Sequence, residues 1–160
     1  MKRLKIYIDT SVISHFDAPD RPDWEQDTLK LWEDIRVRKF ELFTSSVAIA
    51  ELMKCHEPKR SSLLEHLGEI DYTELNETDE VLELANKYLD AGILRQKSFD
   101  DCQHIAYACV YNCDMIVSWN FKHMVNIKTI SGVKSVNALA GYKEMPIYSP
   151  TMLIEGGAED

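Results

Sequence analysis

The chain has 160 residues, 45% of them hydrophobic and 28% charged, which suits one soluble globular domain. Its 27 acidic against 18 basic side chains leave a net charge of −9, which argues against a protein that coats nucleic acid through a broad basic surface. The same balance permits a nuclease whose carboxylates hold metal ions, and it would suit a basic protein partner. No apolar run reaches the roughly 18 residues of a membrane helix, and Lys2, Arg3 and Lys5 precede only a strand-length apolar segment. Neither a membrane span nor a signal peptide is therefore expected, and the cytosol is the default compartment. Cys55, Cys102, Cys109 and Cys113 lack CxxC or Cys/His spacing, so buried thiols are expected, with neither a disulfide nor a structural zinc site.

Leu4 to Ile8 reads as a short buried strand that ends on Asp9-Thr10-Ser11. Val12 to Phe16 fits a helical turn, and a polar loop with Pro19 and Pro22 leads to a helix over Trp24 to Val37. Phe40 to Thr44 alternates as a second strand, and Ser45 or Ser46 can cap a helix running through Cys55. Beyond Pro58, Leu63, Leu64 and Leu67 mark a helix that stops at Gly68, followed by a third strand over Ile70 to Leu75. Thr78 opens a helix that ends at Gly92, and Ser98 opens another that runs to about Tyr111. Met115 to Val117 is a buried strand, Lys128 to Ile130 reads as the last strand, and a helix follows from Val133 to Leu139. Strands separated by helices imply right-handed crossovers, hence a three-layer α/β/α sandwich with a mainly parallel sheet. The expected domain spans residues 1–154, with Pro146 to Ile154 lying on its body and 155–160 forming a loose tail.

Three acids stand out. Asp9 follows a strand, where a carboxylate either caps the next helix or points into the crevice at the carboxyl ends of the strands. Glu51 lies among Val47, Ala48, Ile49, Ala50, Leu52 and Met53, where a charge is costly unless it snorkels, pairs or binds metal. Asp100 and Asp101 begin a helix and point about 100° apart, so one can serve the helix dipole while the other faces inward. Asp101 shares a face with His104, Ile105 and Ala108 and is the better candidate for the cleft. Three carboxylates at one sheet edge would repel without a cation, and hard oxygen donors select Mg²⁺ or Mn²⁺.

With those residues in place, Tyr7-Ile8-Asp9-Thr10-Ser11-Val12-Ile13-Ser14 resembles the opening of PIN domains. Ser45-Ser46-Val47-Ala48-Ile49-Ala50-Glu51-Leu52 is similar to their second motif, and Asp101-Cys102-Gln103-His104-Ile105-Ala106 to their third. Ser118-Trp119-Asn120-Phe121-Lys122-His123 resembles the fourth, in the branch that carries W-N-x-K-H. The resemblance implies a Mg²⁺- or Mn²⁺-dependent ribonuclease leaving 5′-phosphate and 3′-hydroxyl ends, often the toxin of a VapBC-type pair. It also implies a homodimer, an RNA substrate (tRNA included) and a small antitoxin whose tail enters the active site. Asp9, Glu51, Asp101 and Asn120 would then form the catalytic and metal-binding set.

Asn120 stands where many PIN domains carry Asp, which leaves three formal charges and favours one metal over two. Asp114 precedes its strand and would sit at the opposite edge of the sheet. Ser11 and Ser118 either orient the ligands through hydrogen bonds or cap locally. His104 serves core packing or substrate contact, and Lys122 and His123 are either solvated or near a phosphate. A haloacid dehalogenase-type phosphatase would want an Asp where Ser11 stands. The remaining alternative is a non-catalytic PIN-like module that binds RNA or scaffolds a partner. For a dimer, the expected surface lies near the helices after Pro22 and Pro58. Trp24 and Trp32 read as packing beneath the loop, or as part of such a surface.

Overall fold

The computed structural model describes residues 2–158, without the side chains of 155–158. Five strands, β1 (Leu4–Ile8), β2 (Phe40–Ser45), β3 (Thr73–Leu75), β4 (Met115–Val117) and β5 (Ile147–Tyr148), form one sheet in the order β3-β2-β1-β4-β5. Every pairing is parallel, with Ile6 opposite both Leu42 and Met115. Parallel sheets need both faces covered, and eight helices among the described residues do so. The fold is therefore the expected three-layer α/β/α sandwich.

The period-2 geometry of the strands divides the core in two. Ile6, Ile8, Leu42, Met115 and Val117 point to one face, where they meet Leu31, Trp32 and Ile35 of α2 (Pro22–Arg36) and Leu63 and Leu67 of α4 (Lys59–Leu67). Tyr7, Phe43 and Ile116 point to the other face, against α5 (Asp79–Asp90), α6 (Phe99–Val110) and α7 (Ile127–Ala140). Two short helices, α1 (Thr10–Ser14) and α3 (Ser46–Met53), leave the carboxyl ends of β1 and β2 directly. Side-chain oxygens start several of these helices: Ser45 accepts from the Ala48 amide, Thr78 from Val81 and Asn126 from Thr129. Ser98 occupies the cap position of α6 but makes no such bond.

Two sequence expectations are corrected. Lys128 to Ile130 belongs to α7, not to a strand, and the helix expected at Val133 is the later part of that element. The fifth strand is instead Ile147–Tyr148, so Pro146 to Ile154 runs from this strand into α8 (Pro150–Ala158). Leu153 and Ile154 pack on the α2 side of the core, and Thr151 Oγ1 donates to Asp27 Oδ2 at 2.6 Å. Of the tail expected at 155–160, residues 155–158 end α8, while 159 and 160 lie outside the described residues. No helix among the described residues is long and apolar enough to cross a membrane. The four thiols are unpaired, and burial pushes Cys102 up to about 11 and Cys113 up to about 12.

From β1 the chain moves outward through β2 to β3, then returns to the other side of β1 for β4 and β5. The switch point thus falls between β1 and β4, where open α/β sheets bind ligands beyond the strand ends. Asp9 and Ser118 are the first residues past those two ends.

Candidate active site

Asp9 sits at the cap position of α1 but makes no capping bond there. Asp9 is 3% exposed, and its carboxylate receives two hydroxyls instead, Ser11 Oγ at 2.6 Å on Oδ1 and Ser118 Oγ at 2.6 Å on Oδ2. Each hydroxyl also accepts a backbone amide, Trp119 on Ser11 and Asn120 on Ser118, both at 2.9 Å. With their protons committed to Asp9 and their lone pairs to the β4 end, the two serines hold that carboxylate in one orientation.

Glu51 projects from α3 and is half-buried. Its Oε1 accepts from Thr10 Oγ1 at 2.7 Å and from His104 Nε2 at 2.8 Å. Burial pushes its carboxyl up, but the hydrogen bond and charge of His104, with the Thr10 hydroxyl, outweigh that and hold it below the usual range. His104 is buried, and its Nδ1 lies 2.6 Å from the Tyr7 hydroxyl, which lies 2.7 Å from Ser45 Oγ. Nε2–H donates to Glu51, and Nδ1 accepts the Tyr7 proton when the imidazole is neutral and donates to the Tyr7 oxygen when it is protonated. Burial alone would lower the His104 pKa, but the Glu51 hydrogen bond and the charges of Asp9, Glu51 and Asp101 raise it.

Asp101 lies in the first turn of α6 and accepts from His123 Nδ1 at 3.1 Å. Burial drives its carboxyl up, the charge of Asp9 adds to that, and His104 and His123 offset it only in part. Asn120 turns its Oδ1 to the His123 amide at 3.0 Å, while its own carbonyl accepts from Met124 and Val125. Lys122 is exposed beside it. Asp9, Ser11, Ser118 and Asn120 thus meet at the ends of β1 and β4, while Glu51 is linked to this end of the sheet through Thr10 and His104, and Asp101 through His123. Asp114 lies at the far end of the sheet, as expected, where it accepts the Lys5 amide at 2.7 Å.

The donor set suits a hard divalent cation in kind. Asp101 is held near Asp9 at an electrostatic cost that a cation would relieve, and each of the three carboxylates keeps free acceptor sites, although Glu51 Oε1 is filled by Thr10 and His104. Among the described residues, however, no three Asp, Glu, His or Cys side chains gather tightly enough to form a ready-made cage. Each acid is held by its own neighbours, the serines for Asp9, Thr10 and His104 for Glu51, and His123 for Asp101.

Sequence reasoning missed Tyr7, Thr10 and Ser45 as supports of the acids. Tyr7 carried the available signal, since a phenol in a central strand must find a partner for its hydroxyl. Trp119 stacks on Trp24 with ring centroids 4.6 Å apart, Arg21 lies 3.5 Å over the Trp24 ring, and Trp119 Nε1 donates to Thr28 Oγ1 at 2.8 Å. Trp24 therefore braces the loop that follows β4, whereas Trp32 belongs to the core, so both tryptophans pack.

No protein-family model matches this sequence, and no curated protein resembles it in sequence. Solved structures do resemble it in fold. One is Mycobacterium tuberculosis VapC20, described as a sarcin-ricin loop cleaving toxin, with a TM-score of 0.58 and 17% identity over 87% of this chain and 97% of that one. Another is VapBC2 from Rickettsia felis, solved bound to a DNA fragment from their promoter, with a TM-score of 0.57 and 13% identity over 91% and 98% of the two chains. At such identities the likeness establishes the architecture: this chain has the three-layer, all-parallel PIN-like fold of the VapC toxins.

Proposed function

We propose that this chain is a Mg²⁺- or Mn²⁺-dependent endoribonuclease, the toxin of a toxin–antitoxin pair, acting in the cytosol as a homodimer. Its partner would be a small antitoxin protein and its substrate RNA, tRNA included. The observation that carries this reading is that Asp9, Glu51 and Asp101, though not drawn into a ready-made cage, all lie near enough to His104 for their charges to act on it, beside the switch point of a PIN-like sheet. The fold shared with VapC20 and VapBC2 supports it.

Asp9, Glu51 and Asp101 would hold the ion, with the Asn120 amide oxygen as a neutral fourth donor. When bound, the ion supplies a water of lowered pKa and neutralises charge at the scissile phosphate. Ser11 and Ser118 keep Asp9 oriented, and the Ser45–Tyr7–His104 chain keeps Glu51 in place. His123 steadies Asp101, and Lys122 stands beside it to meet a phosphate. The products would carry 5′-phosphate and 3′-hydroxyl ends.

The test is cleavage of a mixed RNA and tRNA pool by purified, partner-free protein with Mn²⁺, Mg²⁺ or EDTA, beside Asp9→Asn. Metal-dependent cutting by the wild type and none by the folded variant is the expected result. Full activity in Asp9→Asn would refute the site. A second reading, a PIN-like module that binds RNA without cutting it, is favoured by the engagement of Asn120 Oδ1 with the His123 amide. It predicts no turnover by folded wild type under any of these conditions.

A further inference from the structure

We infer that a basic cleft beside Asp101 binds the phosphate backbone of single-stranded RNA and leads it to the acids, an inference that rests on the ribonuclease reading above. The cleft has a volume of about 420 Å³ and lies between the segment around Arg95 to Ser98 and the start of α7. Arg95, Lys97, Lys122 and Lys128 line it, all four are exposed, and no acidic side chain does so among the described residues. Nor does any of the four form an ion pair among the described residues, although the protein carries 27 acids to 18 bases. Four like charges that share one acid-free wall repel each other, and a polyanion relieves that repulsion.

His123 joins this cleft to the candidate active site, lining the one and donating to Asp101 of the other at 3.1 Å. The walls are braced. Asn126 Nδ2 donates to the carbonyls of Phe121 and Lys122 while its Oδ1 caps α7, which fixes the loop that carries Lys122. Thr129 Oγ1 donates to the His123 carbonyl at 2.8 Å. Ile93, buried at the cleft floor, is pressed by α7 at Gly132, where an added Cβ would come within 2.7 Å of it. A cationic track held in place and ending beside Asp101 suits backbone phosphates, which position a strand without reading its sequence.

The experiment measures binding of a fluorescein-labelled single-stranded oligoribonucleotide by fluorescence anisotropy, in EDTA to prevent cutting, across a salt series. Wild type is compared with Arg95→Ala/Lys97→Ala/Lys128→Ala and with a charge-matched control, Lys30→Ala/Lys59→Ala/Lys87→Ala, whose residues lie outside the cleft. Each phosphate contact on a single strand contributes about 0.7 to the salt slope, so the cleft triple should lose about 2 in slope and about tenfold or more in affinity. The control should stay within about twofold of wild type, and Arg95→Lys/Lys97→Arg/Lys128→Arg should restore binding. Equal losses in the two alanine triples, or an unchanged slope, would overturn the cleft. So would loss of binding to a poly-glutamate peptide with RNA binding untouched, which would mark a protein-docking surface instead. Cleavage by wild type without these binding differences refutes the cleft alone. The binding differences without cleavage refute the nuclease alone.

Discussion

The Ser118 hydroxyl donates to Asp9 and accepts the Asn120 amide, so one atom fixes both the first carboxylate and the turn that follows β4. Ser118→Ala leaves Asp9 with Ser11 as its one hydroxyl donor and frees the Asn120 amide. Losing a group that orients a ligand costs about 10–100-fold in metal affinity, and we expect a drop of that size in Mn²⁺ affinity, measured by isothermal titration calorimetry. The cost in stability should be only about 1–2 kcal/mol. An unchanged Mn²⁺ affinity would show that Ser118 does not position the ligand. The acids themselves were legible because ionised groups are conspicuous in apolar stretches, as Glu51 is between Ala50 and Leu52. Their supports were less legible. The Tyr7–His104 contact spans 97 positions, and only the register of β1 against α6 brings the two rings together. Asn120 was legible as an oxygen donor, but the commitment of that oxygen to His123 depends on the turn geometry.

Element α7 shows where local pattern misleads. Lys128-Thr129-Ile130 carries two β-branched residues and looks like a strand, yet the Asn126 side chain caps the Thr129 amide and starts a helix. Ile130, Val133, Val136 and Ala140 then face the core at helical spacing, and Gly141, at φ 87°, ends the run. The signals were Asn126 and Gly141, and they outweigh a three-residue propensity. β5 is two residues long, too short to carry a pattern of its own. Gly132 in α7 lacks a side chain because Ile93 occupies that space. Gly132→Ala gains about 1 kcal/mol in helix propensity but costs about 1–3 kcal/mol in overpacking. The net expectation is a loss of about 1 kcal/mol in urea unfolding, and a stabilised variant would mean that Ile93 yields freely. At the other end of the sheet, the Lys5 amide and then, against some burial, Lys143 hold the Asp114 carboxyl below its ordinary value. A depressed folded pKa gives stability that is present above the unfolded value of about 3.9 and lost as pH falls through the folded one. Asp114→Asn should therefore be less stable than wild type near neutrality and lose less on acidification, as read by urea unfolding across that range. Parallel pH profiles would remove Asp114 from the account.

At the scale of the whole molecule, the alternation of apolar strands with amphipathic helices was enough to imply three layers. The strand order was not, because whether β4 returns beside β1 or extends the sheet beyond β3 depends on the packing of α5 and α6 behind Tyr7 and Phe43. That return brings Ser118 to Asp9 and α6 to Glu51, so the site exists only in the complete topology. An ion held by Asp9, Glu51 and Asp101 would bind the folded chain and not the unfolded one, and would so couple these acids to global stability. At about 100 times its dissociation constant such an ion stabilises by about 2.7 kcal/mol. For a chain of 160 residues, Mn²⁺ should then raise Tm by about 5–10 °C over the same protein in EDTA, as measured by differential scanning calorimetry. Asp9→Asn should abolish most of that rise while remaining a cooperative folder. An equal rise in both proteins would place the ion elsewhere on this acidic surface, and no rise in wild type would mean that Asp9, Glu51 and Asp101 do not close on an ion without substrate.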